Sequence, residues 1–137
     1  MQIAAIIVAW VLSAFLALTY FKAGSFKLTA SLATLQEAGM GWTAKVGVAG
    51  VRVIALLELL GAAGIIAAPI ASEFLGFAWA QGLGVAAAAG LTLVMVVAIV
   101  MHAVRGETKY TWKINSALFL AALVLTILLA NFGGSVF

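Results

Sequence analysis

Four stretches of this chain each run for about 20 residues with few or no charges, the length an α-helix needs to cross the hydrocarbon core of a bilayer. They fall at roughly 2–21, 46–67, 77–102 and 112–132. A spanning segment must satisfy its own backbone, because lipid offers no hydrogen bonds. The expected fold is therefore all-α: an integral membrane four-helix bundle, one transmembrane domain over 1–137. The first run has no charge before Lys22 and lacks the positive n-region of a secretory signal, so it reads as a retained span. The second is predicted to stop at Pro69, which has no N–H to continue the helix.

Composition points the same way. Hydrophobic residues make up 66% of the 137 and charged residues only 8%, against roughly 25% in soluble chains. A water-soluble domain of this size leaves too much surface wet to hide that apolar content. The chain has no cysteine and one histidine, His102. That excludes disulfides, thiolate metal sites, iron–sulfur ligation and a haem held by two histidines of one chain. No flavin or other dinucleotide motif is present: GLGVAAAAG at 82–90 is glycine-rich, but it lies in a span with no strand before it. Redox chemistry would need an organic cofactor such as a quinone, or a partner subunit. No metal site is expected, and no basic patch interleaved with aromatics suggests nucleic acid.

Between the first two spans, Leu28, Leu32 and Leu35 recur at helical spacing, with Thr29 as expected N-cap and Gly39 as expected C-cap. This predicts a short amphipathic interfacial helix, at the membrane surface or dipping into the bundle mouth. Loop 1 carries Lys22, Lys27 and Lys45, loop 3 carries Arg105, Lys109 and Lys113, and loop 2 has no Lys or Arg. Positive charge stays on the cytoplasmic side. The expectation is a multi-pass protein of the plasma (inner) membrane with loops 1 and 3 cytoplasmic and both termini outside. Trp42, Trp79 and Trp112 each precede a predicted span, where amphipathic rings favour the headgroup level, whereas Trp10 falls inside the first.

Two charges stand where the membrane disfavours them. Arg52 and Glu58 lie in the second span, and a central charge costs about 2.5–3.5 kcal/mol on an insertion scale. The eleven Val, Ile and Leu residues of 46–67 each return roughly 0.3–0.6 kcal/mol. Arg52 is near an end and snorkels; Glu58 is deeper and needs a partner. Six residues separate the two by about 120° around the helix and about 9 Å along it. Glu58 is thus expected to meet another element, with Lys27, Arg52 and His102 as candidates. Two readings stand: a polar pocket of Lys27, Arg52, Glu58 and His102 around a ligand headgroup, or an ion-pair network that locks the bundle. Trp10, Phe15 and Tyr20 are candidate walls of an apolar pocket. Glycines 47, 50, 61, 64, 82, 84 and 90 and the alanines 86–89 mark faces where helices are expected to touch. Such faces would also permit a homo-oligomer. HExxH, GxSxG and P-loop patterns are absent, and Glu37, Glu73 and Glu107 fall in loops or at the membrane surface.

The segments AGSFKL at 23–28, QEAG at 36–39, VRVIALLELLGAAGIIAAP at 51–69 and GLTLVMVVAIVMHAVRGE at 90–107 resemble the DoxX-like family of small four-helix bacterial membrane proteins. The matching elements include Gly24 with Lys27, Glu58 through Gly61, and His102. The resemblance implies a four-helix membrane fold and association with membrane redox systems, since some relatives are linked with thiosulfate:quinone oxidoreductases or with complexes that handle thiol and oxidative stress. A more distant likeness, to eukaryotic proteins that bind sterol-like molecules within the bundle, implies a lipid-like ligand. Three functions follow as expectations: an accessory subunit holding a quinone or lipid-like molecule at Glu58 and Lys27 or Arg52; an enzyme with Glu58 as catalytic general acid or base; and a scaffold or assembly factor.

Overall fold

The computed structural model describes residues 2–132. They form five helices: α1 (Gln2–Thr29), α2 (Leu32–Glu37), α3 (Thr43–Leu75), α4 (Ala80–Val104) and α5 (Thr108–Phe132). The four long ones are long and apolar enough to cross a membrane. They run up and down in sequence order, α1 against α3, α3 against α4, α4 against α5, and α5 closes the ring along a narrower seam with α1. The fold is an all-α membrane bundle.

Its packing suits lipid. The core is small and aliphatic, with Ala9 and Leu16 from α1, Ala62 and Ile65 from α3, Ala88 and Leu91 from α4, and Ala122 and Leu125 from α5. Larger residues such as Ile7, Leu18, Leu60, Leu93 and Val97 point outward. In a bilayer helices gain little from hiding apolar surface and associate through close van der Waals contact. The α3–α4 seam shows this: a Cβ at Gly61 would lie 2.5 Å from Leu91 Cδ2, and one at Gly64 2.6 Å from Ala87 Cβ. Not every expected glycine packs so. Gly82 and Gly90 are exposed on the outer face of α4, where a Cβ would meet nothing within 4 Å.

Helix ends depart from the sequence expectation in ways that share a cause. α1 continues past Lys22 to Thr29, since a charge ends an apolar run without ending a helix. Thr29 donates to the Ser25 carbonyl within that helix, so it does not cap α2. Ser31 does, its hydroxyl accepting from the Thr34 N–H at 3.1 Å. α3 passes through Pro69 and stops at Gly76, whose left-handed φ of 72° provides the C-terminal turn. Pro69 is buried beside Gly84 of α4, and packing by a neighbouring helix is what lets a membrane helix tolerate proline. Near its start α3 is broken at Gly47, with φ 76° and ψ 171°. α5 begins before Trp112, so that ring stands inside the helix, exposed, with Lys113 Nζ 5.9 Å from its centroid.

α2 sits in the bundle mouth. Leu35 is fully buried and forms a second, separate core with Trp42 and Val51, flanked by Phe26, Met40 and Met101. Arg105 of loop 3 reaches to Gly41 of loop 1, so both connections occupy one end of the molecule.

Candidate functional site

The charged site is built by the crossing of α1 and α3. Gly24 and Lys27 are one turn apart on α1 and face α3. A Cβ at Gly24 would lie 2.9 Å from Leu59 Cγ and 3.1 Å from the Ala55 carbonyl, so only glycine permits this approach. The close crossing sets Lys27 against Glu58: Nζ donates to Oε1 at 2.6 Å and to Oε2 at 2.7 Å. The two side chains are 10% and 4% exposed. An ionised pair survives such burial only when each charge is answered by the other, because desolving either alone costs several kcal/mol.

Arg52 serves the same crossing differently. Its guanidinium donates to the backbone carbonyls of Lys27 and Ala30, the latter at 2.9 Å. Lys27 is in the last turn of α1 and Ala30 directly follows the helix, where carbonyls have no intrahelical donor, and a cation there also faces the negative end of the helix dipole. α3 therefore grips Lys27 twice, by its side chain through Glu58 and by its backbone through Arg52. The six-residue offset that keeps Arg52 and Glu58 from pairing lets each take a different part of α1.

The structure separates the other expected members. His102 Nδ1 bonds Glu107 Oε2 at 2.7 Å, and Arg105 Nε donates to Glu107 Oε1 at 2.7 Å. His102 is therefore engaged in the α4–α5 turn, apart from the Glu58 carboxylate that sequence reasoning offered it. The hydrogen bond from His102 holds the Glu107 carboxyl below the usual carboxylate range; desolvation opposes it, and the Arg105 hydrogen bond and both charges add to it. Trp10 is partly buried on α1, seventeen residues from Lys27 and so about 25 Å away along the axis. The aromatic set divides as well: Phe15 faces outward, whereas Tyr20 is buried and its hydroxyl donates to the Leu91 carbonyl at 3.5 Å. Among the described residues no three His, Cys, Asp or Glu side chains gather to hold a metal.

An apolar groove of about 630 Å³ runs between α1 and α3 on the outer surface, lined among others by Ala17, Leu18 and Phe21 and by Leu59, Ala63 and Ile66. Expectation placed a pocket inside the bundle; this groove opens sideways to lipid. Its lining includes Leu59, the sequence neighbour of Glu58 and the residue that packs on Gly24, while Lys27 and Glu58 themselves do not line it. Helical periodicity could not show it, because small residues on an outward face read as packing.

The Gly24–Lys27 and Glu58–Gly61 elements thus meet at one crossing, Lys27 on Glu58 and Gly24 on Leu59, with Gly61 turned to α4. A model of the DoxX-like family matches residues 11–129. The chain belongs to the DoxX-like family. No curated protein and no solved structure matches it. In this DoxX-like chain the family match spans the charged crossing, the groove and the His102–Glu107 turn.

Proposed function

We propose that this protein is an accessory membrane subunit that holds a quinone or another lipid-like small molecule for a membrane redox system, with the tail in the α1–α3 groove and the polar head at Lys27 and Glu58. One observation carries the reading: a buried ammonium–carboxylate pair whose Glu58 is the sequence neighbour of Leu59, a lining residue of an apolar groove that opens to lipid. Such a pair offers a donor and an acceptor side by side, which suits a head bearing both carbonyl and hydroxyl oxygens. The groove walls add shape and little affinity, since a tail leaving lipid for an apolar groove gains no hydrophobic free energy. Specificity then rests on the charged head site.

We place the protein in the plasma membrane with the α2 end cytoplasmic, on the grounds of the Lys and Arg clustered at that end. The enzymatic alternative asks Glu58 to give or take a proton. Both its oxygens already accept from Lys27, which favours a binding role over a free base.

The test is mass spectrometry of an organic extract from purified protein. Glu58→Ala leaves Lys27 buried and unpaired, so it is run beside the apolar double variant Lys27→Met/Glu58→Leu. A defined quinone or lipid present stoichiometrically in the parent and lost from the folded double variant supports the site. The same molecule retained by the double variant, or bulk phospholipid alone in the parent, sinks it and favours a pair that serves only to lock the bundle.

A further inference from the structure

Three polar residues stand on the buried face of α1 at seven-residue spacing: Ser13, Tyr20 and Lys27, which are 0%, 2% and 8% exposed. Seven residues make nearly two turns, so they form one stripe with steps of about 10 Å along the axis. Leu16 and Gly24 occupy the same buried face between them, and Ala9 continues it one turn before Ser13. A heptad repeat on a buried face is ordinarily apolar; this one has a polar group every two turns.

The stripe is progressively less satisfied toward the middle of the bundle. Lys27 is fully answered by Glu58. The Tyr20 hydroxyl has a bond to the Leu91 carbonyl that, at 3.5 Å, is at the outer limit of hydrogen-bond length. Ser13 Oγ has no hydrogen-bond partner, alone among the buried side-chain nitrogens and oxygens of the described residues. A helical hydroxyl has an easy local solution, the carbonyl four residues back. Thr19, Thr29, Thr92 and Thr126 all take it. Ser13 does not, although it is more deeply buried than any of them.

An unbonded hydroxyl in an apolar interior is costly, and a water molecule is the usual partner where several polar atoms converge. Side chains lean toward the N-terminus of their helix. Lys27 and Tyr20 therefore both lean along the stripe toward Ser13, which shortens each step.

We propose that the inner face of α1 lines a water path that enters at the α2 end, passes the Lys27–Glu58 pair and the Tyr20 hydroxyl, and ends at Ser13 near the middle of the helix. Its ligand is water and the protons water carries. The path gives Glu58 proton exchange with the aqueous phase from inside the bundle. It needs no molecule in the lipid-facing groove, so it stands or falls separately from the binding role above.

The chain has no cysteine, which makes the test clean. Single variants Ser13→Cys, Ala9→Cys and Leu16→Cys are reconstituted in liposomes and exposed to Ag⁺, a water-sized ion that binds thiolates. Free thiol is then counted by maleimide labelling in SDS. Thiolate forms only where water reaches, so Ser13→Cys is expected to be protected at least about tenfold faster than the two neighbouring buried positions. Adding Tyr20→Phe should slow Ser13→Cys to their rate. Serine to cysteine is nearly isosteric, so the variant folds where the parent does. Ser13→Cys reacting no faster than Ala9→Cys and Leu16→Cys, or equally fast with Tyr20→Phe, overturns the path.

Discussion

Lys27 donates to both carboxylate oxygens of Glu58, at 2.6 and 2.7 Å, across the crossing of two membrane helices where neither side chain has much access to water. The free energy of this pair lies in the mutual answer of two charges, and that makes single and double substitutions behave differently. Lys27→Met or Glu58→Leu alone leaves one buried charge unpaired and should destabilise the bundle by about 3–5 kcal/mol. The double variant removes both charges and should recover most of that loss. Thermal unfolding in detergent measures all three; a double variant as unstable as the worse single one would mean that the pair is not coupled.

Arg52 tests a separate part of the crossing. Its fork reaches the carbonyls of Lys27 and Ala30, so Arg52→Leu should fray the end of α1 and speed amide exchange across 27–35. Lysine brings the charge without the planar fork, so Arg52→Lys should restore little of the protection. Full protection in Arg52→Lys would show that charge alone holds the helix end.

Much of this architecture was legible in the sequence, for a physical reason. Hydropathy reports where a chain is apolar, and the four spans are apolar because lipid surrounds them. It does not report where a helix ends, which is why Lys22 and Pro69 misled: α1 carries its lysines on past the apolar run, and α3 keeps a proline supported by α4. Insertion energetics singled out Glu58 and put Lys27 among its partners, but periodicity within one helix could not choose Lys27 over Arg52 or His102. That choice depends on the α1–α3 approach that Gly24 allows. Ser13 gave no signal, since a lone serine in a span is ordinarily settled on its own backbone.

The α3–α4 seam predicts a suppressor. Gly61→Val pushes a side chain into Leu91, and overpacking of this kind costs about 1–3 kcal/mol. Leu91→Ala makes room on the facing helix and should return part of that loss when combined with Gly61→Val. Unfolding midpoints of the single and double variants decide it: strictly additive losses would place the added bulk somewhere other than against Leu91.

Glu107 carries a pH dependence. Its carboxyl is held below the usual range in the folded protein by His102 and Arg105. A depressed folded value means that the contribution is present above the unfolded value, about 4.3, and is lost as pH falls through the folded one. Protection of the turn 102–108 against hydrogen exchange, taken relative to the intrinsic rate at each pH, should therefore fall on acidification below about pH 4. Glu107→Gln should show the lower protection already at neutral pH and lose that acid-dependent step. A turn whose exchange follows the same pH profile with and without Glu107 would assign the latch to other groups.

Orientation is open to a direct test because the chain has no cysteine. Although Lys22 and Lys27 lie in α1 and Lys109 and Lys113 in α5, they stand at the same end as Arg105 and Lys45, and the Gly76–Trp79 connection carries no positive charge. Positive charge resists translocation, so the α2 end should remain in the cytoplasm. A thiol introduced as Ala78→Cys, exposed between α3 and α4, should react with an impermeant maleimide in intact cells. Thr108→Cys, exposed at the start of α5, should react only after permeabilisation. The reverse pattern would turn the molecule over in the membrane, putting the mouth covered by α2, and with it access to Glu58, on the outer face.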